Sequence, residues 1–444
     1  MSSGIIHITQ DTVGQVKNPR LAAYASIYLN IYDRFMEDMH STGIEIDQED
    51  HAVEAAERRE RLARQGAVVR NDSKSVYVNA ISPACEACRL GVGTATFFIS
   101  LQCHRNCFYC FNPNQEDYDQ FAQGKKDPIQ ELQHFRAADM QLNHVALTGG
   151  EPLLFKQDTV AFFQATTASF PAAYKRLYTS GDQVDDALLQ ELKDAGLDEI
   201  RFSIRMHDSE NARRHTFDRI ALAKQFIPNV MVEMPVLPGT FETMQGVLRE
   251  LDRLEIASIN LLEFCFPLNN AAAFRAKGFK VKKHPFRVLY NYWYAGGLPI
   301  AGSELECLDL LEFALQEKLK IGVHYCSLEN KHTGQIYQQN SAPQTSKIGY
   351  LSEKDHFIKT AKVFGADIAK VKRIFNQIGY RDYQRNRDHD FLEFHVSKIE
   401  ALKELDVEVA ISSSVMETRQ DGEYLRELQV DLAHPNQFDL SSDI

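Results

Sequence analysis

Residues 97–113 read FFISLQCHRNCFYCFNP, a short apolar run that passes directly into three closely spaced cysteines. The aromatic and β-branched residues at its start predict a strand, which ends where Cys103, Cys107 and Cys110 begin. Cysteine thiolates hold iron–sulfur clusters, and three on one short loop can ligate three irons of a cube and leave the fourth iron open. The loop therefore predicts a [4Fe–4S] cluster with one iron that a ligand can reach.

A second motif, Leu147-Thr148-Gly149-Gly150-Glu151-Pro152, stands at the end of the next predicted strand. Its paired glycines let the backbone approach a ligand closely. Glu151 supplies a negative acceptor for a ligand's ammonium group, and Pro152 stiffens the turn. Because the two motifs end adjacent predicted strands, we expect them to form one site.

Short apolar runs alternate with amphipathic stretches through the middle of the chain. This alternation is typical of a parallel α/β sheet, whose chemistry lies at the carboxyl ends of its strands. Periodicity alone fits both a partial barrel and an open doubly wound sheet. The predicted strands are Ala95–Leu101, His144–Leu147, Arg176–Thr179, Glu199–Ile204, Val230–Leu237 and Ile259–Phe266.

The pattern divides the chain into five segments. An N-terminal helical region covers 1–80, a segment with two cysteines covers 81–94, and the core covers 95–270. A segment that carries Cys326 and completes the core covers 271–344, and an α+β region covers 345–444. Within that last region, Asp355–Gly379 has a helical pattern and Val407–Ser412 predicts a strand.

The composition predicts a soluble, cytoplasmic protein. No apolar run approaches the roughly 20 residues that a membrane helix needs, so we expect no membrane partner. The N-terminus lacks the basic start and apolar core of a secretion signal. The 49 basic and 61 acidic residues give a net charge of −12, which argues against nucleic acid as a partner.

The loop Cys103-His104-Arg105-Asn106-Cys107-Phe108-Tyr109-Cys110 resembles the cluster loop of the radical S-adenosylmethionine (SAM) superfamily, including the aromatic residue before its last cysteine. Gly149–Pro152 resembles that superfamily's motif for the SAM amino group. The resemblance implies a partial (β/α)6 barrel with a helical N-terminal extension and a small α+β C-terminal region. It also implies that the amino and carboxylate groups of SAM chelate the open iron, and that Tyr109 lies near the adenine.

The resemblance further implies an enzyme of oxidoreductase or lyase type. A reduced cluster, supplied by an electron donor such as flavodoxin or ferredoxin, would cleave SAM into methionine and a 5′-deoxyadenosyl radical. That radical would take a hydrogen atom from a peptide, a protein or a small molecule.

Further contacts to SAM are implied at Ser180, and at Ser203 with Arg205, which occupy positions like those that hold the ribose and the carboxylate. Each is equally a polar residue at a strand end, satisfied by backbone or water. Glu233 and Glu263 either face the cavity or form internal salt bridges.

A zinc ribbon is the alternative interpretation of these cysteines. Cys85-x2-Cys88 and Cys107-x2-Cys110 are separated by 18 residues, as in a four-cysteine zinc site. Such a site predicts a structural or nucleic-acid-binding protein. It leaves Cys103 unused and does not account for the Gly149–Pro152 motif or the strand–helix alternation, so we favour the iron–sulfur interpretation.

Cys85 and Cys88 also predict a second metal site, because such a pair so close to a cluster loop is typical of shared metal chemistry. Cys326 is the leading candidate for a further ligand, and Cys265 and Cys307 are weaker candidates. We expect an auxiliary iron–sulfur cluster there, with structural zinc as the alternative.

More narrowly, the chain resembles radical SAM proteins related to pyruvate formate-lyase-activating enzyme. The resemblance rests on Cys85-x2-Cys88-x2-Gly91, Val232–Gly239, Asn260–Phe264 and Val323–Ser327. Activating enzymes imply a peptide or protein substrate. The chain has longer terminal regions than those enzymes and lacks the dense C-terminal cysteine array of the peptide-modifying branch, so a small metabolite stays the alternative.

Overall fold

The residues that the computed structural model describes are 4–88, 90–115, 117–283, 297–341, 346–419 and 421–444. They divide into two compact units. The terminal unit combines residues 4–42 with 332–444, and the core unit combines 43–283 with 297–331. All residues predicted to form sites lie in the core unit.

The strands are numbered in chain order. They are β1 (Ile5–His7), β2 (Val68–Arg70), β3 (Ser75–Val78), β4 (Thr94–Phe98), β5 (His144–Thr148), β6 (Tyr174–Thr179), β7 (Glu199–Phe202), β8 (Asn229–Val236), β9 (Ser258–Glu263), β10 (Cys265–Phe266), β11 (Leu298–Pro299), β12 (Gly322–Cys326), β13 (Tyr350–Leu351), β14 (Ile358–Phe364), β15 (Tyr383–Asn386), β16 (Phe391–Phe394), β17 (Val409–Arg419) and β18 (Gly422–Ala433).

The helices are numbered in the same way. They are α1 (Pro19–Ser41), α2 (Ala52–Arg64), α3 (Pro83–Ala87), α4 (Tyr118–Gln123), α5 (Pro128–Ala137), α6 (Lys156–Ser169), α7 (Asp186–Asp194), α8 (Glu210–Ala223), α9 (Phe241–Arg253), α10 (Ala271–Ala276), α11 (Ser303–Gln316), α12 (Leu328–Asn340), α13 (Asp367–Gln377) and α14 (Leu440–Asp443). Short 3-10 helices cover Val13–Gln15, Asn112–Asn114, Pro152–Phe155 and Val396–Leu402. None of the described helices combines the length and the apolar character that crossing a bilayer requires.

A sheet of nine described strands forms the centre of the core unit, in the order β2-β3-β12-β9-β8-β7-β6-β5-β4. Neighbours from β4 to β12 are parallel, whereas β3 is antiparallel to β12 and β2 to β3. The order follows the chain without a reversal, which excludes the doubly wound alternative. In the described part of the chain, β4 and β2 each have one neighbour, so the sheet is a partial barrel, as predicted, with β12 as a further parallel strand.

Two helices of the core unit show how the sequence specifies them. The Asp127 side chain accepts hydrogen bonds from the backbone N–H groups of Ile129 and Gln130, at 2.9 and 3.2 Å, and so caps α5. The apolar stripe of α9 is buried against the sheet, through Met244, Val247, Leu248 and Leu251.

The two faces of each parallel strand have different surroundings. On β7, Ile200 and Phe202 join the apolar cluster that the helices cover, whereas Glu199 and Arg201 alternate with them and lie on the inner face. All four residues are buried. A parallel strand covered on both sides is usually apolar throughout, so charged residues here indicate a polar barrel interior.

The terminal unit contains an antiparallel sheet in the order β1-β18-β17-β14-β16-β15, with β13 beside β14. The α13 helix packs its apolar residues with one set of buried strand residues, and α1 packs Leu21, Ala25 and Leu29 with another. This arrangement agrees with the α+β fold predicted for residues 345–444.

Three features differ from the sequence-based expectations. The region 1–80 contains strands as well as helices: β1 pairs with β18, and β2 pairs with β3 across a turn whose residues Asn71, Asp72 and Ser73 have positive φ. The pairing of β1 is distant in sequence, so no local pattern shows it. The helix predicted within Asp355–Gly379 is wrong for residues 358–364, which form β14. This strand is buried along its whole length and yet contains lysines, so its sequence does not show the alternation by which a strand is recognised.

Candidate functional site

The cysteine loop lies directly after β4, at the carboxyl edge of the parallel sheet. Cys103 is exposed, and Cys107 and Cys110 are half-buried free thiols. Burial raises the pKa of Cys107 to about 11; nearby Arg205 opposes this shift, and the neighbouring Cys110 and Cys103 add to it. The loop therefore brings the three thiols within electrostatic reach of one another.

An ion-pair network ties this loop to the end of β6. The Asp182 carboxylate accepts hydrogen bonds from Arg105 Nε at 2.6 Å and from Ser180 Oγ at 3.0 Å, and it also pairs with His104. Burial alone would raise the pKa of Asp182, but the hydrogen bonds from Arg105, His104 and Ser180 hold it below its usual value. A charged Asp182 thus fixes His104 and Arg105, which lie between Cys103 and Cys107.

The paired glycines approach the cysteine loop itself. The N–H of Gly150 donates to the Ser100 carbonyl at 3.0 Å, and the N–H of Glu151 donates to the Gln102 carbonyl at 2.9 Å. A Cβ atom on Gly150 would lie 1.9 Å from the Gln102 oxygen, and one on Gly149, whose φ is +113°, would lie 2.6 Å from the Ser100 oxygen. Glycine is therefore required at both positions to join the two motifs.

The Glu151 carboxylate is buried and accepts three hydrogen bonds. They come from the N–H of Leu153 at 3.1 Å, the hydroxyl of Thr179 at 2.8 Å and the N–H of Ser180 at 2.6 Å. A carboxylate has about four acceptor positions, so one stays open for a ligand. Glu151 thus connects the end of β5 to the end of β6, a role that its place in the sequence does not show.

The rest of this motif flanks the glycines. Thr148 ends β5 and pairs with Phe98 of β4, and Pro152 begins the short 3-10 helix that follows Glu151. The Gly149 carbonyl accepts a hydrogen bond from Asn112 Nδ2 at 2.7 Å. The sequence did not predict a role for Asn112, two residues after Cys110. Its side chain bonds to backbone that is distant in sequence, and such a contact leaves no periodic pattern.

Tyr109 contributes to an aromatic wall beside the thiols. Its ring meets those of Phe108, Phe264 and His207 edge to face, with centroid distances of 5.0, 5.6 and 5.7 Å. Burial raises the pKa of Tyr109, and the charge of nearby Cys107 adds to the shift. Such a wall can pack against a flat ring.

Arg205 has one buried nitrogen atom beside the loop that lacks a partner. Its Nε donates to Asp208 Oδ2 at 2.9 Å, while its Nη2 is buried and forms no hydrogen bond with any residue that the structure describes. The positive charge of Arg205 acts on Cys103 and Cys107. Ser203, two residues before Arg205, is half-buried, and its N–H donates to the Thr179 carbonyl at 3.0 Å. A buried donor without an acceptor indicates a place for an anionic ligand group.

Glu233 and Glu263 both form internal ion pairs. Glu233 accepts hydrogen bonds from Arg201 Nη1 at 2.6 Å and from Asn260 Nδ2 at 2.7 Å. Glu263 lies 3.6 Å from Lys282 Nζ and accepts the N–H of the residue that begins α12. The salt-bridge alternative therefore describes both residues.

The remaining predicted cysteines lie apart from the loop. Burial raises the pKa of Cys326 to about 12; nearby Lys331 opposes the shift, and the thiols of Cys88 and Cys85 add to it. These three therefore lie near one another, and Cys85 Sγ also lies 3.5 Å from Arg201 Nη2. In the described ranges, no group of three histidine, cysteine or acidic residues is positioned to hold a metal ion.

Two cysteines have other surroundings, and the zinc-ribbon pairing finds no support. Cys307 is buried within the apolar core, and Cys265 is half-buried on β10. A ribbon needs Cys85 and Cys88 to share an ion with Cys107 and Cys110. Instead, the first pair neighbours Cys326 and the second neighbours Cys103.

Residues 97–251 match the family model described as the radical SAM superfamily. A protein of Methanocaldococcus jannaschii that carries the name of a glycyl-radical enzyme activating enzyme is 27% identical over 253 residues, 54% of this chain and 62% of that protein. A PqqA peptide cyclase of Rhizobium meliloti is 36% identical over 116 residues, 26% of this chain and 29% of that protein. The chain thus spans less than two thirds of either relative.

A solved structure, Streptococcus suis SuiB bound to precursor peptide SuiA, is 12% identical, with a TM-score of 0.39 over 59% of this chain and 56% of that one. The family match contains the cysteine loop, the Gly149–Pro152 motif, Ser180, Ser203 and Arg205. The chain is therefore similar to the radical SAM superfamily over residues 97–251.

Proposed function

We propose that this protein is a radical SAM enzyme in which Cys103, Cys107 and Cys110 hold a [4Fe–4S] cluster. The observation that carries the proposal is the backbone pairing of Gly150 and Glu151 with residues 100 and 102, which joins the cysteine loop to the glycine motif. When bound, a reduced cluster supplies the electron that cleaves SAM to methionine and a 5′-deoxyadenosyl radical.

The side chains around the loop suit SAM in charge and shape. The partnerless Nη2 of Arg205 can donate to the SAM carboxylate. Tyr109 and the rings around it can pack against the adenine, and the hydroxyls of Ser180 and Ser203 lie at the ends of neighbouring strands, as suits a ribose. The charged Asp182 holds the loop in place through Arg105 and His104.

A peptide or a protein is the substrate class that we propose. The support comes from the relatives, since one is named an activating enzyme of a glycyl-radical enzyme and the other a peptide cyclase. The substrate loses a hydrogen atom to the radical, and an electron donor such as flavodoxin or ferredoxin reduces the cluster. A small molecule is the alternative.

We also propose a second metal site at Cys85, Cys88 and Cys326. Its support is that the three thiols lie near one another beside β12. Burial raises the pKa of Cys326 and of Cys85, and the charges of Lys331 and Arg201 oppose that shift. The group that we propose is an iron–sulfur cluster, which cysteine thiolates hold, and structural zinc is the alternative.

The test is the formation of 5′-deoxyadenosine after anaerobic cluster reconstitution and reduction with dithionite. The wild-type protein should form it from SAM. Arg205→Met should weaken SAM binding by about tenfold or more, since a hydrogen bond to a charged group contributes about 1.5–3 kcal/mol. The exposed Arg214→Met on α8 is the matched control and should bind SAM normally. A colourless protein that binds only zinc and forms no 5′-deoxyadenosine would contradict the proposal.

A further inference from the structure

The interior of the partial barrel contains a buried arginine without a hydrogen bond. Arg176 on β6 is 8% exposed, and its Nε and Nη1 atoms are buried without a partner among the described residues. Leaving a buried charge unpaired is costly, so such a group usually awaits a ligand or has one.

Arg176 lies on the inner face of the sheet. Its neighbour Leu177 belongs to the apolar cluster under the helices, so Arg176 and Tyr178 face the other way. The Tyr178 hydroxyl lies 3.2 Å from Arg201 Nη1, which confirms that this face is the interior.

The strand on one side of Arg176 places a small side chain next to it. Arg176 pairs in register with Ala146 of β5, and Ala146 pairs with Thr96 of β4. Ala146 has only a methyl group, and Thr96 is exposed on the edge strand. Ala146 is fully buried, so this position adds little side-chain bulk beside the guanidinium.

The carboxylates of the interior are already bonded to other groups. Glu199 accepts from Arg201 Nε at 2.5 Å, from Ser82 Oγ at 2.6 Å and from the Tyr174 hydroxyl at 3.0 Å. Glu233 is held by Arg201 and Asn260, and its pKa is lowered by the charges of Arg201, Lys331 and Arg176 against the opposing effect of burial. Although Arg176 pairs in register with Glu199 of β7, neither its Nε nor its Nη1 bonds to a carboxylate among the described residues.

Two more polar atoms without partners accompany Arg176. The Nδ1 of His144 and the hydroxyl of Thr94 are buried and form no hydrogen bond within the described part of the chain, and these residues pair with each other in register at the start of β5 and β4. Arg176 acts on His144 closely enough to lower its pKa, together with the larger effect of burial. A neutral histidine and a hydroxyl can both donate to an anion.

We propose that Arg176, with His144 and Thr94, binds a carboxylate group of the substrate inside the barrel. A single carboxylate balances the charge of Arg176, whose Nε and Nη1 bond to no described carboxylate, whereas a phosphate dianion would exceed it. The planar guanidinium also matches a carboxylate in two parallel hydrogen bonds. This assignment rests on the proposed function only in taking the ligand to be the substrate.

The site would place that carboxylate well below the cysteine loop. Ser180, which directly follows β6, is four positions after Arg176, a distance of about 13 Å at 3.3 Å per residue. An extended peptide of about four residues spans this distance. A peptide substrate with an acidic side chain or a free carboxyl end could therefore reach both ends of β6.

The test compares thermal unfolding of the reconstituted full chain in sodium acetate, acetamide and sodium phosphate, each at the same concentration and ionic strength. Acetate at ten times its dissociation constant should raise the unfolding midpoint of the wild type by about 1.5 °C over acetamide. Arg176→Met should abolish that rise. Equal midpoints in acetate and acetamide, or a larger rise in phosphate, would overturn the carboxylate assignment.

A second comparison separates a ligand site from a structural role. Without ligand, Arg176→Met should keep or raise the midpoint, because the variant removes an unpaired buried charge. Arg201→Met is the matched control and should lower it, because Arg201 holds Glu199 and Glu233. A fall as large as that of the control would overturn the proposal. Neither comparison requires SAM. A failure to form 5′-deoxyadenosine would therefore reject the proposed function, and the unfolding midpoints would still test the carboxylate site.

Discussion

Gly150→Ala should separate the two motifs of the site. The added Cβ would lie 1.9 Å from the Gln102 oxygen and 2.4 Å from the Gln102 carbonyl carbon. Real Cβ atoms essentially never come closer than 3.0 Å, so the two backbones must part by at least 3.0 − 1.9 = 1.1 Å. Since the atoms in contact belong to the backbone, no side-chain rotation relieves the clash.

The cost follows from what that movement breaks. The hydrogen bonds from Gly150 to Ser100 and from Glu151 to Gln102 would lengthen beyond bonding distance, at about 1 kcal/mol each. Overpacking adds about 1–3 kcal/mol. The free energy of unfolding should therefore fall by about 3–5 kcal/mol, and the reconstituted protein should lose most of its 5′-deoxyadenosine formation.

Urea unfolding followed by circular dichroism measures the stability, and the same substitution elsewhere supplies the control. Gly246 lies exposed in the middle of α9 with nothing within 4 Å of its would-be Cβ. Gly246→Ala should therefore stabilise the protein by about 0.5–1 kcal/mol. If Gly150→Ala unfolds like the wild type and keeps its activity, the close backbone contact is not what assembles the site.

Two further predictions concern pH. Glu427→Gln should lower the free energy of unfolding by about 3 kcal/mol at pH 7, because the substitution deprives the buried Lys362 of a partner. The control is Glu423→Gln, at an exposed position of the same strand, which should change the free energy of unfolding by less than about 0.5 kcal/mol. Burial raises the pKa of Glu427, but the charge of Lys362 and the hydrogen bonds to the carboxylate lower it by more, to below the usual value of about 4.3. In urea unfolding, the stability difference between wild type and variant should therefore shrink as the pH falls below about 4.3. A difference that stays constant with pH would refute the ion pair. Burial lowers the pKa of His324 to about 3, so protons bind the unfolded chain first, and wild-type stability should fall by about 2 kcal/mol between pH 7 and pH 5 on account of this residue. His324→Gln, which can still bond Ser75, should lose that much less over the same range, and an equal loss in both proteins would show that His324 titrates normally.

Local patterns in the sequence predicted most of the core unit. The apolar runs that become β4 to β9 are short and bounded by turns. The helices between them carry apolar residues at helical spacing, as in α9. The cysteine spacing and the Gly149–Pro152 motif needed no knowledge of the fold, because each lies within a few residues of chain.

What the sequence could not supply is contact between distant segments. The approach of Gly150 to Gln102 depends on β4 and β5 lying side by side, and the role of Asp182 depends on β6 lying next to them. The missing partner of Arg176 appears only when every neighbour across the sheet is known. Pairing of β1 with β18 joins opposite ends of the chain, so it too lies beyond any local pattern.

The most direct test of the account is 5′-deoxyadenosine formation by a variant that combines Cys103→Ala, Cys107→Ala and Cys110→Ala. Cys307→Ala, which removes a thiol buried in the apolar core, is the matched control. After anaerobic reconstitution and reduction with SAM present, the triple variant should form none while the control matches the wild type. If the second metal site exists, the triple variant should still bind iron. Formation of 5′-deoxyadenosine by the triple variant at the wild-type rate would contradict the assignment of these three cysteines to the catalytic cluster.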